Sequence, residues 1–535
     1  MNSSVASSVA APAPRRGVGR RAWRSAAPKI KFAADRAGMA EALACDALSA
    51  GAVSRPARRI RSILFDTAAS DLAKKDIVLR GYELHGASFL ELTWTRPVHP
   101  GLERGSVELR VPKLNFGADL LGSSDDLRRS VEGRPLEARC VAETERRERL
   151  LDLEDARLAV VFDDGFVEFC GERAPFHEIE LRLVNGSAAR LWRFAADLSR
   201  RLPIRRLPMG ETEIALARMA GRDIPTVKAR RSTLAADASL DDAIVAIIGS
   251  CLDQFEANWP ALTRSNDPEE SIHQMRVALR RLRAAAGLVR RGVRSPALEA
   301  GCARAKSIAA ALGAARNWDV LRDMLTEVSF APMNAEPSFY ALLDAVECRR
   351  AGAHDAVRTL IAARETTQFV LDLRAALAAR DWAGAGSDAP EAVTLDTRAT
   401  HSAREFAVLS LDRLHRKTMK KGRKLASVTP EKRHEARIAL KKSRYAAEFF
   451  ETMFDARRDA RKYLRRCAAV QDALGAFNDI AMAAHLLREI DDELGERVSP
   501  ASSFVAGWYA HAQDGMAADW KDAERCLRKL KPFWR

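Results

Sequence analysis

Two segments of this 535-residue chain combine histidine with cations at a shared spacing. His273, Arg276, Arg280 and Arg283 lie in HQMRVALRRLR, and His434, Arg437, Lys441 and Arg444 lie in HEARIALKKSR. At about 100° per residue the first set occupies an arc of roughly 80° on a helix. Met275, Leu279, Leu282, Ala286 and Val289 fall on the opposite side, so one helix would carry a buried face and a cationic stripe. Each stripe is about 15 Å long at 1.5 Å per residue, enough to lie along several phosphate units. Guanidinium forks suit phosphate oxygens, and a histidine beside bound phosphate is pushed toward its charged form. This chemistry suits a repeating anion, and no catalytic set is expected from it.

Residues 276 to 294 hold seven arginines and no acid, and 413 to 444 hold thirteen basic residues against Glu431 and Glu435. A single run of this kind is ordinarily a solvated helix face, or pairs with acids on other helices. Here the run is duplicated. LGAARN at 312–317 returns as LGAFND at 474–479, an offset of 162 beside the 161 that relates the two histidine motifs. Two tandem helical units follow, about 239–380 and 397–535, expected to pack as a bundle with approximate twofold symmetry. Gly313 and Gly475 are expected to permit close helix contacts. Asn317, Asp319, Asn478 and Asp479 are expected to cap helices or orient arginines.

The rest of the chain frames these units. Net charge is +15, with +7 in residues 1–34, +1 in 35–230 and +7 in 231–535, so the surplus sits in the tail and the helical half. Eight cysteines are scattered without CxxC, which suggests neither a zinc site nor a disulfide framework and fits a reducing cytoplasm. No run approaches the roughly 18 apolar residues of a membrane span. Residues 1–27, rich in Ser, Ala, Pro and Arg, read as a disordered basic tail; their acid-poor character also resembles a transit peptide. Residues 28–220 contain alternating segments such as SILFDT, SFLELTWT, SVELRVP and HEIELRLVN, which predict antiparallel strands, with helices near 37–49 and 187–201. LAVVFDDGFVEF predicts a hairpin around Asp164 and Gly165. Breakers at 221–238 predict a linker, and a second is expected at 381–396.

The doubled motifs resemble the CHAD domain over about 240 to 530. The resemblance implies a pseudo-twofold helical bundle that binds inorganic polyphosphate and can bring its protein to polyphosphate granules. It places binding at His273, Arg276, Arg280, Arg283, His434, Arg437, Lys441 and Arg444, and extends to Arg304 and Arg466, which are 162 apart. One departure is Asn317, where the family usually has an acid. A metal at the histidines is not expected, because arginines follow each and no carboxylate set accompanies them.

The β-rich region resembles a CYTH domain, a triphosphate tunnel formed by an antiparallel barrel. The pieces are FDT at 65–67, Leu79-Arg80, FDDG at 162–165 and HEIELRL at 177–183. In that family basic residues hold triphosphate and carboxylates hold a divalent metal. This copy is degenerate: the opening ExExK reads Ala27-Pro28-Lys29-Ile30-Lys31, LTWT replaces a strand ending in lysine, and Thr212-Glu213 stands at a late Ser-Lys position. Lys31, Arg80, Glu178 and Glu180 remain as a residual triphosphate site, with Mg²⁺ or Mn²⁺ required only if this domain is active.

The expected architecture is therefore multidomain, an α+β antiparallel barrel followed by an all-α duplicated bundle. The expected function is polyphosphate binding in the cytoplasm or on granules, without a membrane. A metal-dependent inorganic triphosphatase is the first alternative. Nucleic-acid binding is the second; the stripes lack the interleaved aromatics that stack bases.

Overall fold

The structure, a computed structural model, describes residues 28–75, 77–84, 87–98, 101–111, 131–132, 134–169, 171–219, 224–265, 267–382, 402–515 and 517–535. The expected tail at 1–27 lies outside them, as does the expected linker after Trp382. Two compact units emerge, one comprising Met1–Leu191 with Leu202–Ile224, the other Trp192–Arg201 with Pro225–Arg535.

The first unit is built on one antiparallel sheet, as the period of two predicts. Its strands are β1 (Lys29–Ala33), β2 (Val53–Ser54), β3 (Arg58–Asp66), β4 (Ile77–Leu84), β5 (Ala87–Val98), β6 (Gly101–Val111), β7 (Glu137–Leu153), β8 (Ala156–Phe169), β9 (Glu172–Gly186) and β10 (Arg205–Arg206). Pairing runs β10-β1-β9-β8-β7-β3-β4-β5-β6, with β2 beside β7, and the two ends do not pair among the described residues. Alternation separates the faces. On β1 and β9, Ile30, Phe32, Ile179 and Leu181 are fully buried on one side, while Lys31, Glu178 and Glu180 point to the other.

One expectation fails here. The Asp163-Asp164-Gly165 segment is not a turn: β8 runs straight through it, pairing Asp164 with both Glu145 and His177. Gly165 serves close strand approach instead, since a Cβ there would collide with the Glu143 carbonyl oxygen and lie 2.9 Å from Thr144 Cα.

The second unit is helical. Its elements are α1 (Leu240–Ala257), α2 (Trp259–Arg264), α3 (Glu269–Val289), α4 (Pro296–Leu325), α5 (Pro337–Ala362), α6 (Arg364–Ala379), α7 (Ala403–Lys421), α8 (Pro430–Phe450), α9 (Arg457–Leu494), α10 (Ser499–Gly515) and α11 (Ala517–Arg528). The two histidine motifs lie on α3 and α8, each 21 residues long. The helices that open the two repeats start side by side: Ser239 and Ser402, the N-caps of α1 and α7, form an isolated antiparallel bridge. One hydrophobic core draws on both repeats, joining Ile248, Leu279 and Leu312 to Leu411, Leu440 and Leu474. A second core joins Leu321, Phe339 and Val346 to Leu487, Ile490 and Val505.

Residues 225–238 form no helix or strand, as their breakers predict, yet they pack on this unit. Leu234 enters the main core and its N–H donates to Thr452 Oγ1 at 2.9 Å. Trp382, at the start of the expected second linker, is also buried, and its indole N–H donates to Asp241 at 2.9 Å. No described helix is long and apolar enough to cross a membrane.

Candidate functional site

The apolar face of α3 seats as its periodicity predicts at Met275, Leu279, Leu282 and Val289, which are buried, while Ala286 is half-buried. That packing turns the stripe outward, and the same holds on α8, where Ala436 and Leu440 are buried. Because α3 packs against α8, the stripes converge on one another. Arg276, Arg280, Arg437 and Lys441 form one electrostatic cluster: Arg276 is acted on by Arg280 and Arg437, and Lys441 by all three arginines. Across the repeat relation Arg276 matches Arg437, and Arg280 matches Lys441.

The LG motifs complete the cluster from α4 and α9. A Cβ on Gly313 would lie 3.4 Å from Arg276 Nε, and one on Gly475 would lie 3.9 Å from an Arg437 terminal nitrogen. Both are ordinary contact distances, so each glycine borders an arginine of the stripe and a larger side chain there would meet it. Asp479, on α9, is the carboxylate that acts on Arg276, Arg437 and Lys441. Its counterpart on α4 is Asn317, so the duplicated site carries this acid on one side only. Asp319 belongs elsewhere: it is fully buried and bonds His354 Nε2 at 2.7 Å and Arg350 Nε at 3.0 Å.

Electrostatically the cluster is under-neutralised. Among the described residues none of its four basic side chains makes a salt bridge, whereas Arg374 binds both Asp253 and Glu256. Arg437 Nε is buried without a hydrogen-bond partner. Burial, reinforced by Arg280, pulls Arg276 down to about 10, which leaves it charged at neutral pH. Burial and the three arginines pull Lys441 down to about 6. Burial and Arg316 hold His273 below its ordinary value. A bound polyanion would oppose each of these shifts, because a nearby opposite charge favours the charged form.

The remaining candidates are placed differently. His434 and Arg283 are exposed. Arg444 is already engaged, donating to Glu448 at 2.8 Å and Gln471 at 2.7 Å. Arg304 and Arg466 do not reach the cluster: each stands nine residues before its LG glycine, about half a turn round the helix and roughly 14 Å along it. Arg304 lines a separate cavity with Phe369, Asp372 and Asp381, and Arg466 donates to the Lys529 carbonyl. Tyr445 was not among the candidates. It is buried, and Arg280 lies over its ring at 5.9 Å. Its position eight residues after Arg437, on the same helix face, was the available signal.

In the sheet unit, register gathers Lys31, Glu178 and Glu180 on one face with Asp163, Arg146, Arg80 and Glu91. Nearly all of these are engaged with one another. Lys31 bridges Glu178 and Glu213, each at 3.6 Å. Burial alone would lower its pKa, but Glu213, Glu178 and Glu180 together raise it. Glu178 accepts from the Glu211 N–H at 2.7 Å, at the start of the helix Glu211–Met219, and burial raises its pKa against Lys31. Glu180 accepts from Arg182 at 2.6 Å, and that bond and charge outweigh burial and lower its pKa. Arg80 donates to Ser62 at 2.8 Å and faces Glu91 at 3.8 Å. Asp163 and Arg146, which sequence reasoning had not paired, form a two-point ion pair at 2.7 Å. Among the described residues no group of three or more His, Cys, Asp or Glu side chains could hold a metal ion. Glu178, Glu180 and Asp163 are each already held by a cation: Lys31, Arg182 and Arg146 respectively.

A family model described as the CHAD domain matches residues 246–488. No curated protein matches the chain. Among solved structures, the chain is similar to the CHAD domain from the plant Ricinus communis, at 29% identity over 57% of this chain and 98% of that one, with a TM-score of 0.48. PptA from Streptomyces chartreusis matches at 17% identity over 55% of this chain and 100% of that one, with a TM-score of 0.38. HpAC1 from Hippeastrum, described as having a dominant triphosphatase activity, matches at 19% identity over 36% of this chain and 95% of that one, with a TM-score of 0.25.

Proposed function

Residues 246–488 are a CHAD domain, and from that premise we propose that this chain binds inorganic polyphosphate where its two repeats meet. One observation carries the reading: Arg276, Arg280, Arg437 and Lys441 come together from both repeats without a salt bridge among the described residues, and a glycine of each LG motif borders a central arginine. Polymer rather than single phosphate is favoured because basic side chains continue along both helices to His273, His434 and exposed Arg283. Nucleic acid is disfavoured because the aromatic ring in the cluster, Tyr445, is buried beneath Arg280 and offers no face to a base. Binding here would carry the whole chain to polyphosphate-rich granules.

The test is a titration of the full chain with long-chain polyphosphate and with single-stranded DNA at matched charge and salt. Polyphosphate is expected to bind more tightly, and its affinity to fall as salt rises, as counterion release requires. Equal or tighter DNA binding overturns the reading.

The sheet unit we read as a CYTH-like fold without hydrolytic activity. Bound Mg²⁺ or Mn²⁺ would polarise phosphates in a working tunnel. Here Glu178 is committed to Lys31 and to the helix at Glu211, and Glu180 to Arg182. Little phosphate release from tripolyphosphate is expected with either metal, measured beside a Glu178→Gln, Glu180→Gln control. Turnover abolished by that control moves the chain to the triphosphatase class.

A further inference from the structure

The cluster holds one amine among guanidiniums. Lys441 lies one turn after Arg437 and one turn before Tyr445 on α8, and Arg280 of α3 sits over the Tyr445 ring at 5.9 Å. Cations thus approach the amine from its own helix and from the facing one. The charged groups that act on it are Arg280, Arg437 and Arg276, opposed by Asp479 of α9. None of the described carboxylates forms a salt bridge with it, and the side chain is half-buried rather than sealed. Arginine keeps its proton under such crowding, whereas lysine sheds it. Burial and the arginines bring Lys441 to about 6, so its amine is mostly neutral at pH 7.5. A desolvated lysine beside other cations is an activated nucleophile.

Resting on the reading that this cluster receives phosphate oxygens, we infer that Lys441 is an acylation site whose donor is an acyl phosphate, and that acylation closes the anion site. The donor's phosphate docks on Arg276, Arg280 and Arg437, which brings its carbonyl carbon to the amine. The Lys441 Nζ lone pair attacks that carbon and forms the C–N bond. The C–O bond to phosphate breaks, its electron pair leaving with inorganic phosphate, and the nitrogen loses a proton to that phosphate or to water. Nothing is oxidised or reduced. The resulting amide cannot regain the charge that a bound polyanion would otherwise restore to Lys441.

The test uses the full chain with acetyl phosphate at pH 7.5, following acetylation site by site by mass spectrometry. Lys442 and Lys432, both exposed on α8, are the internal references. An ordinary lysine has only about one amine in a thousand neutral at this pH, and lower basicity gives back part of that advantage. Lys441 is expected to react on the order of tenfold faster than Lys442, to slow in Arg280→Gln while Lys442 does not, and to be protected by excess tripolyphosphate. Acetylation of Lys441 no faster than Lys442 overturns the proposal. If Lys441 reacts fast but tripolyphosphate gives no protection, the modification stands and the polyphosphate reading fails. If tripolyphosphate binds yet Lys441 is not preferred, the reading stands and the modification fails.

Discussion

At the scale of single residues, the cluster is a place where like charges are held together at a cost to the free protein. Arg276 and Arg437 lie off the apolar arcs of their helices and make no salt bridge among the described residues, so their removal should spare the fold. Charge-assisted hydrogen bonds contribute about 1.5–3 kcal/mol each, so Arg276→Ala with Arg437→Ala should weaken polyphosphate binding about a hundredfold or more. Circular dichroism should be unchanged and the melting temperature no lower. The same change at Arg15 and Arg16 is the control, and equal loss in both variants would mean that charge alone, not this site, drives binding. Lys441 adds a pH dependence whose sign is fixed. Its pKa is about 6 in the free protein, and a bound polyanion raises it. Between those two values the complex holds a proton that the free protein lacks, so affinity rises as pH falls and levels off below about 6. His273, held low by burial and Arg316, acts in the same sense. Titrations at pH 6, 7 and 8 measure the slope, and Lys441→Arg, which stays charged, should remove most of it.

At the scale of elements, the site depends on four helices meeting, two from each repeat. Gly313 of α4 and Gly475 of α9 leave space beside Arg276 of α3 and Arg437 of α8. Gly313→Leu with Gly475→Leu keeps helix propensity high while filling that space. Polyphosphate affinity should drop at least tenfold with helicity retained, whereas undiminished affinity would show that the arginines need no such room. Helical periodicity made the stripes legible in advance, because 3.6 residues per turn is a local property. The role of Asp163 was not legible. A DDG triplet between alternating apolar residues reads as a turn, but strand pairing on both sides of β8 overrode that local preference and turned Asp163 toward Arg146.

At the scale of the whole molecule, the duplicated repeats do not each own a core. Leu279 and Leu312 of the first pack in one cluster with Leu440 and Leu474 of the second. A half-domain spanning 225–382 would expose that shared surface to water, at roughly 25 cal/mol per Å² of apolar area. It should not fold alone: near-ultraviolet dichroism should be weak and size exclusion should show aggregates, while 225–535 gives a cooperative transition. A cooperative, monomeric 225–382 would refute the shared core.

What the sequence determined by itself was everything set by local spacing. The offset of 161 to 162 residues, the cationic faces of α3 and α8, the alternation of Lys31, Glu178 and Glu180, and the helical character of the C-terminal half all follow from periodicity along the chain. Only the tertiary structure decided which cations share a site. It brought Arg276 and Arg280 to Arg437 and Lys441, left Arg304 and Arg466 half a turn away, and gave Arg444 to Glu448 and Gln471. The reason is physical: a side chain's direction on its helix is fixed within a few residues, whereas its neighbours across the interface depend on how helices distant in sequence bury their apolar faces together.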